Sequence, residues 1–194
     1  MAAQHTPRVS PEDYLTQEEA SPQRHIYFAG VVEAMAGGSV AHATIAMNLG
    51  AELRAALRGR GCRVVGSDVL FRTGSGEMYT YPDVMVLCGP LETMEGRPHV
   101  VTNPVLLAEV LSCGTEALDR GAKSREYRAS PSLRQYVLIS QDQAWVEIHT
   151  RDDAGFWRMD EVRGLEGACV FTALDCHVPM AALYEGVLPA APRP

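Results

Sequence analysis

Lysine is almost missing from this 194-residue chain: of 17 basic residues, 16 are Arg, and Lys123 stands alone. A chain so biased is expected to use Arg wherever any cation suffices. A lone Lys therefore points to a site that needs a compact ammonium rather than a planar fork, unless it is one surface lysine that survived by chance. Long apolar runs are missing too. None approaches the roughly 18 residues that span a bilayer, and Met1–Ser10 has no apolar centre of the kind a secretory signal carries. No membrane association and a cytoplasmic address are expected. Paired cysteines are also absent. Cys62, Cys88, Cys113, Cys169 and Cys176 are odd in number, widely spaced and without a CxxC. This predicts neither a disulfide framework nor a zinc site, and leaves them as small buried hydrophobes. Positive charge is short: the net charge is −7. That opposes non-specific coating of nucleic acid but not a nuclease, whose metal-holding carboxylates are themselves negative. Repeats, low-complexity tracts and linkers are lacking, so one domain is predicted over 1–194. Within it lie an N-terminal helix and hairpin (11–36), a core (41–185) and a frayed tail (189–194).

What is present reads as α/β. Ser10 followed by PEDYLTQEEA is a helix start. His25–Phe28 and Val31–Met35 around Ala29-Gly30 read as a hairpin. Ile45, Leu49, Leu53 and Leu57 recur every four residues and predict an amphipathic helix from about Ala41 to Arg58. Strands are predicted at 62–65, 68–72, 83–87, 105–111, 135–139, 145–150 and 156–162. A helix is predicted over 116–128 and one helical turn over 178–183.

Two acids interrupt the most apolar strands. Asp83 opens DVMVL after Pro82, and Glu109 sits near the end of VLLAEVL. A carboxylate in such a setting costs several kcal/mol unless it is paired or holds a metal. Two at corresponding ends of neighbouring strands could share one Mg²⁺, which takes one or two carboxylates plus waters and phosphate oxygens. The alternative is two strand-end carboxylates that face solvent or pair with Arg. On the following helix Asp119, Lys123 and Tyr127 fall at i, i+4 and i+8 on one face. Lys123 can reach back toward the carboxylates, or form only a surface pair with Asp119. From Glu116 to Arg134 five basic residues face three acidic ones. Arg120, Arg125 and Arg128 are therefore the candidate phosphate-facing residues, or simply a solvated helix face. Thiol chemistry at Cys113 lacks a visible histidine partner.

The segments RHIYFAGVVEAMAGGSVAHA, YPDVMVLCGP and PVLLAEVLSCGTEALDRGAKSREYRASPSLRQYVLISQDQAWVEIHTR resemble the Uma2 family of restriction-endonuclease-like proteins, in the PD-(D/E)XK nuclease superfamily. The resemblance runs from about Pro11 to Glu185. It implies a restriction-endonuclease-like mixed central β-sheet flanked by helices. It also implies Asp83 and Glu109 as ligands of Mg²⁺ or Mn²⁺, with Lys123 as the third catalytic residue. Asp119, Ser112, Tyr127 and His42 would be supporting residues, DNA the substrate and a homodimer the assembly. The superfamily lysine would stand at Leu111; in this family it is displaced onto the next helix, at Lys123. Two positions depart from the family pattern: Ile26 where an acid is usual, and Cys113-Gly114 where Pro-Ser is usual. A relative that binds nucleic acid or a protein partner without cutting is the alternative. His42, which matches a family histidine, could instead make a local hydrogen bond at its helix start.

Overall fold

The computed structural model describes residues 8–188; the predicted frayed tail at 189–194 lies outside them. The chain opens with α1 (Pro11–Ala20), started by Ser10, whose hydroxyl accepts from the Asp13 N–H at 3.1 Å. Hairpin β1 (His25–Phe28) and β2 (Val31–Ala34) follows, then α2 (Val40–Ala56), capped by Ser39. Next come β3 (Cys62–Gly66), β4 (Leu70–Arg72), β5 (Met78–Thr80), β6 (Val84–Cys88), β7 (Thr93–Met94), β8 (Arg97–Val101) and β9 (Leu106–Leu111). The segment after β9 is α3 (Glu116–Leu118), a π-helical turn (Asp119–Lys123) and α4 (Ser124–Ala129). Strands β10 (Gln135–Ser140), β11 (Trp145–Arg151), β12 (Trp157–Arg163), β13 (Ala168–Phe171) and β14 (Cys176–Pro179) lead to α5 (Met180–Leu183).

The architecture is mixed α/β, as expected, with two six-stranded sheets and a two-stranded one, β13-β14. The first runs β2-β1-β5-β4-β8-β7 and the second β12-β11-β10-β9-β6-β3. In the second, β9 and β10 are parallel and joined through α3–α4, while the other neighbours are antiparallel. Its central strands are buried throughout, which is why β6, β9 and β10 read as nearly continuous apolar runs. Alternate residues serve opposite faces. Val84, Val86, Leu106 and Ala108 meet Ile45, Leu49 and Leu53 of α2. Met85, Leu107, Leu111 and Leu138 meet Tyr127 of α4 and Phe71 and Met78 of the first sheet. Among the described residues no helix is long and apolar enough to cross a membrane.

The cysteine expectation needs a correction. Cys62 and Cys88 are joined by a disulfide, with Cα atoms 4.1 Å apart. They lie 26 positions apart in the chain but directly opposite in the β3–β6 register. Sequence spacing does not reveal that antiparallel pairing brings such residues face to face. The cross-link also removes cysteine usage as an argument for a reducing compartment. Cys113 is free and exposed, Cys169 free and buried, Cys176 free and half-buried.

Candidate active site

Pro82 offers no N–H to a ladder, and β6 pairs with β9 only from Val84↔Ala108 to Val86↔Leu106. One step further along this register, Asp83 stands opposite Glu109. There the Asp83 side chain substitutes for a backbone acceptor: its Oδ2 takes the Val110 N–H at 2.8 Å. The same oxygen lies 3.2 Å from His42 Nε2. His42 sits in the first turn of α2, fixed there by the Ser39 cap. The Asp83 carboxylate raises the His42 pKa, against the effect of burial.

Glu109 is 3% exposed, Asp119 1% and Lys123 4%. Lys123 Nζ donates to Glu109 Oε1 at 3.0 Å and lies 2.8 Å from Asp119 Oδ1. Tyr127 Oη donates to the same Glu109 Oε1 at 2.7 Å, and Tyr136 Oη donates to the Asp119 carbonyl at 3.0 Å. Burial pushes the Glu109 carboxyl up to about 8, and Asp83 and Asp119 push it the same way; Lys123 and Tyr127 pull it down. Burial alone would lower the Lys123 ammonium, but Glu109 and Asp119 outweigh it and the net shift is upward.

The π-helical turn explains how three helix residues share one face. In an α-helix each i,i+4 step drifts by about 40°, so Asp119 and Tyr127 would diverge. The wider π turn rotates less per residue, which offsets the drift of the α-helical step after it. All three side chains point inward as a result.

The remaining sequence candidates are placed differently. The Ser112 hydroxyl lies 3.0 Å from that of Thr115, at the start of α3. Arg120 is taken up by Glu116 at 2.7 Å and by both oxygens of Glu147 at 2.8 Å. Arg128 Nε donates to the Ser124 carbonyl at 3.2 Å. Arg125 is exposed, with Glu126 at 3.8 Å. Ile26 lies on β1 opposite Glu33, in the first sheet. Among the described residues no three His, Cys, Asp or Glu side chains form a metal-binding group.

The donor set suits a cation of two protein ligands. Asp83 Oδ1 and Glu109 Oε2 take no hydrogen bond from the described residues, since the contacts above fall on the other oxygen of each. Three carboxylates (Asp83, Glu109 and Asp119) face one Lys and one His. Ionisation of Glu109 thus adds negative charge that the cluster does not balance in a buried place, unless a cation joins it.

Because Glu109 is raised to about 8, its protonated form is favoured in the fold. The stability this contributes is present below the ordinary carboxylate value and is lost as pH rises through about 8. Glu109→Gln keeps an acceptor for Lys123 and Tyr127 and does not titrate. The melting temperature of the metal-free variant relative to wild type should therefore climb between pH 5 and pH 8, by on the order of 5 °C. An unchanged difference at the two pH values would contradict the buried, raised carboxyl.

The Uma2 family model, described as "Putative restriction endonuclease", matches residues 11–175. An uncharacterised protein of Synechocystis sp., slr1290, is 38% identical over 151 residues, covering 78% of both chains. A second from the same organism, sll1609, is 32% identical over 152 residues, covering 78% of this chain and 86% of the other. A crystal structure from Anabaena variabilis, titled "a putative nuclease belonging to DUF820", superposes with a TM-score of 0.75. The match covers 93% of this chain and 99% of that one, at 13% identity. That identity speaks for a shared nuclease fold alone. With the family match and two relatives above 30% identity, the chain belongs to the Uma2 restriction-endonuclease family.

Proposed function

We propose that the protein is a divalent-metal-dependent endonuclease that hydrolyses DNA phosphodiester bonds. The observation that carries this reading is the position of Asp83 opposite Glu109 at the ends of two neighbouring strands, with the only lysine of the chain on Glu109. Asp83 and Glu109 would hold Mg²⁺ or Mn²⁺, each through its open oxygen. When bound, the ion supplies positive charge to phosphate oxygens and makes a nucleophile from water near neutral pH. Lys123 carries three N–H donors, and its two protein contacts leave one. That donor can hold a water or a phosphate oxygen while Glu109 and Asp119 keep the ammonium in place. Tyr127 fixes the Glu109 carboxylate, and His42 with the Val110 N–H fixes that of Asp83.

Plasmid nicking in Mg²⁺ or Mn²⁺ tests the reading, with Asp83→Ala and Lys123→Ala as controls. Nicking by wild type and by neither control supports it; none at any metal concentration overturns it. A second reading, binding without cleavage, is favoured by the apolar Ile26 at a usually acidic position and by the two-ligand site. It predicts oligonucleotide binding with no nicking. The ion itself has a separate signature. At 100 times its Kd, Mg²⁺ stabilises the fold by about 2.7 kcal/mol, a melting-temperature gain of roughly 5–10 °C. Asp83→Asn should remove that gain; a gain equal in the variant would place the ion elsewhere.

A further inference from the structure

Asp83 and His42 are the more exposed members of the buried cluster. The side chains of Glu109, Asp119 and Lys123 are 2–5% exposed, whereas those of Asp83 and His42 are 14% and 19% exposed. Asp83 and His42 line a groove of 880 Å³ between α2 and β3, the edge strand of the second sheet. Its floor is small and apolar: Ala43, Ala46 and Gly50 from α2, Val64 and Val65 from β3. A Cβ at Gly50 would meet nothing within 4 Å, so the floor is open at its middle. Two cations border it. Arg24 is held by the Ser67 carbonyl and Asp68. Arg54, in the last turn of α2, makes no ion pair among the described residues. By contrast, Arg125 and Arg128 ride on α4, on the opposite face of the sheet from α2.

We propose that this groove holds a single unpaired strand of nucleic acid, whose phosphodiester reaches Asp83 only once it has left the duplex. The proposal rests on the nuclease reading and adds the form of its substrate. A cleft of this size is in the range that buries a drug-sized ligand, roughly 300–1,000 Å³. It accommodates a short stretch of one strand and not a double helix. The apolar floor suits sugars and base edges, and Arg54 suits the backbone charge, the electrostatic half of what single-strand grooves use. In a chain of net charge −7, an Arg that makes no ion pair among the described residues and borders the groove of Asp83 is best matched by a polyanion. A second copy could also seat on α2, whose Val40 and Met47 are exposed. It would bring its net negative charge against Asp68 and Asp83 as well as Arg54, whereas a flexible strand can set one phosphate on Arg54 alone.

Fluorescence anisotropy of a labelled oligothymidine strand and of a duplex of equal length, in EDTA, tests this. The strand should bind at least tenfold more tightly than the duplex. Arg54→Glu and Ala51→Glu should each weaken strand binding about tenfold. Ala51→Arg, at an exposed position of the groove wall, should tighten it about threefold. Arg125→Glu should change it less than twofold. Removing Arg54 should reduce the salt slope of log K by about 0.7. Equal or tighter duplex binding, or Ala51 variants that bind like wild type, would overturn the proposal while leaving the nuclease reading intact if wild type still nicks plasmid. Wild type that neither binds nor nicks overturns both. Light scattering that finds a dimer dissociated by Ala51→Glu assigns the groove to a second copy and also overturns it. Thermal melts of the Ala51 and Arg54 variants should match wild type, since both positions are exposed.

Discussion

Lys123→Met is expected to destabilise the metal-free protein by about 3–5 kcal/mol, the cost of breaking a buried ion pair from one side. Met keeps the length and most of the volume of the lysine stem, so packing changes little. What changes is charge. Glu109 and Asp119, whose side chains are 4% and 2% exposed, lose the ammonium at 3.0 Å and 2.8 Å. Glu109 escapes by taking up a proton. The loss should therefore be small near pH 5, where protonation is cheap, and full at pH 8. By melting temperature the drop at pH 8 is roughly 10 °C or more for a domain of this size. The triple variant Lys123→Met, Glu109→Gln, Asp119→Asn should recover most of it, because no uncompensated charge remains. Equal melting of Lys123→Met and wild type at pH 8 would show that the lysine carries no structural charge balance. Lys123→Arg should not substitute, because the space between Glu109 Oε1 and Asp119 Oδ1 is shaped for one nitrogen rather than a fork. A chain that uses Arg at 16 of 17 basic positions keeps its one lysine where Arg does not fit.

The second large effect is on cleavage. Asp83→Asn should leave the fold nearly unchanged, because the Asn carbonyl oxygen can still accept the Val110 N–H that Asp83 Oδ2 accepts at 2.8 Å. It removes one unit of negative charge at the open oxygen proposed to hold the ion. Losing that ligand removes the ion's charge stabilisation in the transition state, worth several kcal/mol, so nicking should fall by about 10³-fold or more. The paired measurement is circular dichroism and melting of the same preparation. A variant that melts like wild type and cuts like wild type would remove Asp83 from the chemistry. A variant that melts far lower would make Asp83 chiefly a strand-end acceptor. His42→Ala separates the roles further. It takes away the Nε2 contact at 3.2 Å but no charge from Asp83, so its effect on cutting should be at least tenfold smaller than that of Asp83→Asn.

The site was legible where charge and surroundings conflict. Asp83 and Glu109 stand out because carboxylates do not belong in runs such as DVMVL and VLLAEVL, and Lys123 because the chain avoids lysine. The helix at 40–56 and the second sheet were legible because long, regular apolar patterns survive in one dimension. The first sheet was legible only in part: the β1–β2 hairpin and β4 fall where the sequence predicts strands, but β8 was not read, and β5 and β7, with three and two residues, are too short for any period to register. β13 and β14 were missed for the same reason, and the helical turn read over 178–183 begins only at Met180, after β14. The π-helical turn escaped because Asp119-Arg120-Gly121-Ala122-Lys123 carries no distinct composition. The Cys62–Cys88 link escaped because it depends on strand register, and the His42–Asp83 contact because it depends on how α2 packs on the sheet; both join residues far apart in the chain.

The parallel pairing of β9 with β10 has a bearing on how the chain is made. Glu109 lies on β9, and its strand remains an open edge until β10, beginning at Gln135, docks beside it. Tyr136, which hydrogen-bonds the Asp119 carbonyl, arrives with the same strand. A growing chain that has emerged only as far as Lys123 thus holds every charged member of the cluster without the wall that shapes it. Non-local pairings of this kind form late. The proposed catalytic arrangement is completed only once β10, through Ser140, has been made, so a DNA-cutting centre would stay disarmed until that strand docks.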